Sequence, residues 1–166
     1  MVLVSDQFLQ THADARPVAR ILGWGHRTVG LGLGQKFERS TESPYLLPHL
    51  RTTVQDAFDR ARLTVDDLDG FEVHDCFTPS EYLAIDHIGL TPAGQSWQAI
   101  ENGDMAIGGG HPVGASGVRM LVDAARQVSD SAGDYQVEGA RTFGTLNIGG
   151  SRATAVSFVV GAADGR

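Results

Sequence analysis

The chain of 166 residues contains one cysteine, Cys76, so no disulfide can form within it. A chain without disulfides is typical of a reducing compartment, and we therefore expect a cytoplasmic protein. An unpaired cysteine is either a small, inert core residue or a reactive group. Cys76 is for this reason a candidate site residue whose surroundings must decide between the two.

Basic residues and long apolar runs are scarce as well. The 13 Lys and Arg stand against 20 Asp and Glu, giving a net charge of −7, and they form no basic block. Nucleic-acid binding usually requires such a block. No apolar run approaches the roughly 18 residues of a membrane span, and the first six residues do not resemble a secretory signal. We expect no nucleic-acid partner and no membrane span.

The pattern of apolar residues predicts one compact α/β domain. Short apolar runs alternate with longer amphipathic ones, as in a sheet with helices packed on its faces. Ser43 and Pro44 are typical of a helix start, and apolar residues from Leu46 to Ala61 then recur on one face. Thr78 to Glu81 resembles a capping box, and Gly89 would end that helix. Strands are predicted at 2–4, 18–24, 71–73, 141–146 and 153–160, and helices at about 44–61, 79–88 and 118–128.

A histidine lies in the most glycine-rich part of the chain. The run from Gly108 to Gly117 holds five glycines around His111 and directly precedes an amphipathic helix. Glycines allow the backbone to approach a ligand closely, and the N-terminal dipole of the helix favours a neutral imidazole. A neutral imidazole donates a hydrogen bond to an oxyanion or accepts a proton from a thiol. We predict that His111 acts on a substrate.

The segment His74-Asp75-Cys76-Phe77 connects a strand end to the N-terminus of a helix. Unpaired backbone N–H groups there favour the thiolate of Cys76, and the carboxyl ends of strands often form ligand sites. The alternatives are an inert buried cysteine and a His74 that bonds only to the backbone. A metal site is not predicted, because adjacent residues point in alternate directions and no CxxC or HxxxH spacing is present. We expect no permanently bound cofactor.

Both segments resemble the C-terminal half of a thiolase, and the resemblance runs from about residue 17 to the end. Gly110-His111-Pro112 followed by Gly114 to Gly117 is similar to the glycine-histidine-proline block of that family. Most thiolases carry asparagine-glutamate-alanine-phenylalanine where this chain has His74 to Phe77. The His-Asp-Cys-Phe version resembles the sterol-carrier-type thiolases and their bacterial relatives.

The resemblance implies a role for each matching residue. His111 would activate a nucleophilic cysteine and contribute to the oxyanion hole for the thioester of the attacking acyl-CoA, and His74 would complete that hole. Cys76 would be the acid/base for the α-proton. Asn147 stands where other thiolases place that cysteine in a late motif. The N–H of Gly149 matches the donor of the second oxyanion hole.

The resemblance also implies the fold and the partners. We expect residues 1–166 to be one thiolase half, a five-stranded mixed sheet with helices on both faces, without the N-terminal half that carries the nucleophile. The implied function is acetyl-CoA acetyltransferase-like transfer on CoA thioesters, with either an N-terminal half or a second copy as partner. Two alternatives are a non-catalytic domain that binds acyl-CoA or serves assembly, and a retro-aldolase. The chain departs from the family in lacking a second cysteine and in its short segment 99–104 before the histidine loop.

Overall fold

The computed structural model of the chain describes residues 1–104 and 115–163. Within them the chain forms six α-helices around one four-stranded sheet. The helices are α1 (Asp6–Thr11), α2 (Leu33–Ser40), α3 (Pro48–Ala61), α4 (Thr78–Ile88), α5 (Trp97–Glu101) and α6 (Ser116–Val128). The strands are β1 (Ala19–Thr28), β2 (Gly70–Val73), β3 (Thr142–Gly149) and β4 (Thr154–Ala162).

The sheet is mixed and has the strand order β1-β4-β3-β2. Antiparallel pairs join β1 to β4 and β4 to β3, whereas β2 runs parallel to β3. The expected five-stranded sheet is therefore wrong for the described residues. The sequence predicts a strand at residues 2–4, but Val2 is 86% exposed and the segment leads into α1. There the Ser5 hydroxyl accepts a hydrogen bond from the Phe8 N–H at 3.1 Å, so a helix cap ends the apolar run.

Helices cover both faces of the sheet, as expected. Side chains alternate along β4, so Ala155 and Val159 face α3 whereas Val160 faces α6. Each face has its own buried cluster. The α3 cluster includes Leu50, Val54, Phe58, Leu146 and Ile148, and the α6 cluster includes Leu121, Ala124, Val128 and Phe143. None of the helices in these parts of the chain is long and apolar enough to cross a membrane.

The α3 helix starts later than the sequence predicts. The pattern places the first helical residue at Pro44, but α3 begins at Pro48, and Leu46 lies outside it with 49% exposure. A helix begun at Pro44 would place Pro48 in its second turn, where proline has no N–H for the hydrogen-bond ladder. At the first position that N–H is not needed. The predicted core residues Leu50, Val54 and Phe58 are at most 3% exposed.

A buried histidine joins the start of α3 to α4. His87 is 1% exposed, and its Nε2 accepts a hydrogen bond from the Leu47 N–H at 3.1 Å. Its Nδ1 donates to the Leu83 carbonyl. These two contacts require a neutral ring that carries its proton on Nδ1. Burial lowers the pKa of His87 below its usual 6.5.

Stability should therefore decrease in mild acid. Below about pH 6.5, residue 87 binds a proton in the unfolded chain. In the folded chain His87 binds that proton only at a lower pH, because burial has lowered its pKa. The free energy of unfolding should fall over that interval by up to about 1.4 kcal/mol per pH unit for this residue. Burial also lowers the pKa of His49, which adds to the loss. Urea titrations across the interval measure the slope.

The matched control is the exposed His12 in the turn after α1. His87→Gln should flatten the pH dependence much more than His12→Gln. If His87→Gln is too unstable to titrate, NMR of the wild-type ring should show the neutral form below pH 6.5, the reference pKa. Equal slopes in wild type and His87→Gln, or a His87 ring that titrates at its usual pH, would contradict the prediction.

Candidate active site

The site lies at the carboxyl ends of β2 and β3. The two strands are parallel with Val73 opposite Leu146, and the His74 N–H extends the pairing by donating to the Leu146 carbonyl at 3.0 Å. Asn147 and Gly149 follow on β3. Because parallel strands end at the same edge of a sheet, the segment from His74 to Phe77 and the end of β3 from Asn147 to Gly149 meet there.

Cys76 lies between the end of β2 and the start of α4. Phe77, the N-cap residue, is extended, and Thr78 is the first helical residue instead of the predicted cap. The half-buried Cys76 places its Sγ 3.3 Å from the Oγ of Ser80, one helical turn away. Ser80 is 1% exposed. The thiol is therefore in polar contact with a buried hydroxyl, unlike an inert cysteine in an apolar core.

An arginine connects this pair to the turn between β3 and β4. The Nη2 of Arg152 donates to the Ser80 Oγ at 3.2 Å. Arg152 follows Gly149 and Gly150 in the turn. A chain of two hydrogen bonds thus joins Cys76 to the glycine turn that the sequence predicts to serve the second oxyanion hole.

The turn between β3 and β4 has a left-handed backbone, and buried side chains donate hydrogen bonds to its carbonyls. Gly150, Ser151 and Arg152 all have left-handed φ values of 55°, 54° and 62°. Side chains make this conformation cost about 1 kcal/mol or more per non-glycine residue. Lys36, which is 1% exposed, donates from Nζ to the Ser151 carbonyl at 2.6 Å, and His49 Nε2 donates to the Arg152 carbonyl at 2.8 Å.

These contacts make the surroundings of the turn basic. Burial lowers the pKa of His49, and the positive charges of Lys36 and Arg39 lower it further. The hydrogen bond to the Arg152 carbonyl raises it, but by less than burial lowers it. Lys36 also donates to the Leu31 carbonyl at 3.0 Å, which ties α2 to the turn. A buried ammonium group needs such partners because its desolvation is costly. The arrangement favours a fixed turn with positive charge behind it.

The first turn of α6 lies beside the end of β3. Gly117 packs against Asn147, since a Cβ placed on Gly117 would lie 3.5 Å from the Asn147 Cγ. The Nδ2 of Asn147 donates to the sulfur of Met120 at 3.5 Å. Arg119 pairs with Glu72 of β2 and, at 2.6 Å, with Asp123. Burial raises the pKa of Glu72, and Arg119 opposes that rise. This ion pair fixes α6 against β2.

The predicted site residues have different outcomes. His74, Cys76 and Gly149 lie at one edge of the sheet, where Gly149 is exposed at the end of β3. His111 lies outside the described residues, and its place beside Cys76 stays a prediction. Sequence reasoning missed Ser80, Arg152, Lys36 and His49. Only Ser80 had a signal, because it lies in the first turn of the predicted helix that follows Cys76.

A groove of about 790 Å³ lies at the opposite end of the sheet from Cys76. The N-terminal segment, β1 and α6 line it, including Val4, Ile21 and Leu121. Its position separates it from the predicted chemistry. In the described parts of the chain, no group of three or more His, Cys, Asp or Glu side chains is arranged to hold a metal ion.

Comparison with known proteins identifies relatives of the chain. A family model described as thiolase C-terminal domain-like matches residues 35–162. The acetyl-CoA acetyltransferase of Methanothermobacter thermautotrophicus is 38% identical over 118 residues, which cover 63% of this chain and 31% of that protein. Sterol carrier protein 2 of Homo sapiens is 31% identical over 171 aligned positions, covering 95% of this chain and 31% of that protein.

The fold has a solved neighbour. The Ltp2-ChsH2(DUF35) aldolase superposes with a TM-score of 0.67 at 19% identity, over 87% of this chain and 39% of that one. At this identity the likeness shows the fold alone. The chain spans about a third of the length of the curated relatives quoted above.

Proposed function

The chain belongs to the thiolase C-terminal domain-like family, and from that premise we propose that it supplies the acid/base and oxyanion-stabilising half of an enzyme acting on CoA thioesters. The supporting observation is the position of Cys76, with its sulfur 3.3 Å from a buried hydroxyl at the sheet edge that also carries His74 and Gly149. The similarity to an acetyl-CoA acetyltransferase supports the substrate class.

The first step of the proposed reaction is proton abstraction. The Cys76 thiolate takes a proton from the α-carbon of an acyl-CoA, so the C–H bond breaks and its electron pair enters an enolate. His74 and His111 donate hydrogen bonds to the enolate oxygen. A fixed donor of this kind contributes about 3 kcal/mol in the transition state, and a well-placed acid/base contributes about 10² to 10⁴ in rate.

The second step needs a nucleophile that this chain does not contain. The enolate carbon attacks an acyl group held as a thioester on a cysteine of a thiolase N-terminal half, a C–C bond forms, and the cysteine leaves as thiolate. The N–H of Gly149 stabilises the oxyanion of that addition. Cys76 is the only cysteine of the sequence, so the acyl carrier is proposed to be an N-terminal half on the same or another chain.

A carbon–carbon lyase is the second candidate function. Retro-aldol cleavage requires an oxyanion hole and an acid/base but no acyl-enzyme, and this chain offers Cys76 without a second cysteine. The fold neighbour is an aldolase in name, which is compatible with this chemistry on the same scaffold. A non-catalytic acyl-CoA-binding or assembly domain is the third alternative.

Deuterium exchange tests the proposal. The full chain is incubated with acetyl-CoA in deuterated buffer, and NMR follows loss of the methyl proton signal. We expect exchange at least about 10²-fold above the buffer rate, since an acid/base contributes that much. His111→Ala should lose the exchange while its circular dichroism stays that of the wild type. Binding of acetyl-CoA without exchange would instead support the non-catalytic domain.

A second assay separates the two catalytic candidates. With an added N-terminal half from a related thiolase, an acyltransferase would consume acetoacetyl-CoA and CoA to give acetyl-CoA. A lyase would release an aldehyde or ketone from a 3-hydroxyacyl-CoA without that half. Cleavage of the 3-hydroxyacyl-CoA by the chain alone would replace acyl transfer with the lyase function.

A further inference from the structure

Ser80 and Arg152 have no place in the reaction as proposed, yet both are connected to Cys76. Ser80 contacts the sulfur at 3.3 Å, and Arg152 contacts Ser80 at 3.2 Å. We propose that they form a hydrogen-bonded relay that stabilises the thiolate of Cys76, and that Arg152 is a positioning residue acting through Ser80. The purpose of the relay rests on the proposed function, whereas its existence rests on these contacts.

The donors and acceptors of the relay are compatible with both forms of Cys76. A hydroxyl has one hydrogen and two lone pairs, and the Arg152 N–H occupies one lone pair. When Cys76 is a thiol, its S–H donates to the other lone pair. When Cys76 is a thiolate, the Ser80 hydrogen donates to the sulfur. Arginine is always charged and cannot accept, so the direction of its own bond never reverses.

Burial increases the effect of the relay. Ser80 is 1% exposed, so little water competes for its hydrogen bonds. Hydrogen bonds to charged groups are about twice as strong as neutral ones, and a chain of them is polarised by the charge at its end. The charge of Arg152 therefore polarises the Ser80 hydroxyl and strengthens its hydrogen bond to a Cys76 thiolate. Asp75, adjacent in the chain, has a buried Oδ1 that finds no hydrogen-bond partner among the described residues.

Arg152 reaches Ser80 because its backbone is held on the other side. Lys36 bonds the carbonyl before Arg152, and His49 bonds the carbonyl of Arg152 itself. Together they hold two consecutive left-handed residues, Ser151 and Arg152. The relay thus begins at a rigid turn, and its geometry does not depend on a bound substrate.

The experiment measures the thiolate of the full chain directly, by ultraviolet absorbance and by the rate of alkylation with iodoacetamide. Both signals report on Cys76 alone because the chain has no other cysteine. Near neutral pH, Ser80→Ala and Arg152→Met should lower the thiolate fraction at least about fivefold, the loss of one charge-assisted hydrogen bond. Alkylation should slow by only about threefold, because a more basic thiolate is intrinsically more reactive.

Two further variants separate the relay from a structural role. Ser80→Thr keeps the hydroxyl and should restore the thiolate, whereas Arg126→Met removes an exposed arginine of α6 and should change nothing. If Ser80→Ala does not fold, Arg152→Met alone decides. An unchanged thiolate fraction in a folded Arg152→Met variant would overturn the proposal. No acyl-CoA is present, so a failed exchange assay alongside a lowered thiolate fraction would refute only the proposed function.

Discussion

Replacing Cys76 by alanine should reduce exchange of the α-protons of acetyl-CoA from the rate of the full chain to the rate of buffer, a loss of about 10² to 10⁴. Alanine leaves the oxyanion donors in place but provides no group to accept the proton. The half-buried sulfur contacts one hydroxyl, so its removal should affect the chemistry much more than the fold. Exchange measured by NMR, together with the thermal midpoint of each variant, separates these two effects.

Cys76→Ser is the matched control for this prediction. It keeps a polar group of similar size beside Ser80, but a hydroxyl is far less acidic than a thiol, so almost none of it is ionised at neutral pH to accept the α-proton. We expect Cys76→Ser to fold like the wild type and to remain as inactive as Cys76→Ala. Exchange at the wild-type rate in either variant would show that another group removes the proton.

The resemblance to thiolases could be predicted because it rests on short, chemically demanding segments. His74 to Phe77 and Gly110 to Gly117 indicate the family by residue type and order alone, and the match over residues 35–162 confirms it. Gly89 was also predictable as a helix end, since φ is +83° there and glycine adopts that conformation without a Cβ penalty. Such signals are local, so the sequence carries them without knowledge of the fold.

The features that sequence reasoning missed depend on distant residues. Lys36 is buried only because the Leu31 and Ser151 carbonyls receive its three-donor ammonium group, and Ser151 is 115 residues away in the chain. Lysine is otherwise almost never fully buried, so the residue type alone does not predict this burial. Arg152 likewise reaches Ser80 over 72 residues. No periodicity predicts a hydrogen bond between a turn and a helix at this separation.

These long-range contacts explain how the edge of a small sheet can be a rigid site. The sheet brings the ends of β2 and β3 together, but strand ends are mobile unless other elements hold them. In this chain α2 and α3 hold the turn after β3 through Lys36 and His49, and α6 is joined to β2 through Arg119. The site therefore depends on how closely the helices pack on the sheet.

The helix α3 packs most closely on the sheet at Gly25 of β1, and we expect the largest change in stability from a substitution there. A Cβ there would lie 1.8 Å from the backbone oxygen of Thr53 in α3, and Gly23 has the same relation to Ala57 at 2.0 Å. Neither atom is the end of a flexible side chain, so Gly25→Ala must separate the strand from the helix. We expect a loss of about 3 kcal/mol or more and a thermal midpoint lower by about 10 °C.

A glycine-to-alanine substitution in α2 should instead raise the stability. Gly34 lies on the exposed side of α2, where a methyl group added to its Cα would meet nothing within 4 Å, so Gly34→Ala should stabilise the helix by up to about 1 kcal/mol. Because α3 also carries His49, Gly25→Ala should weaken the hold on the Arg152 turn and lower the thiolate signal before the chain unfolds, whereas Gly34→Ala should not. Similar thermal midpoints for the two variants would show that α3 does not rest on the backbone of β1 as closely as these distances require.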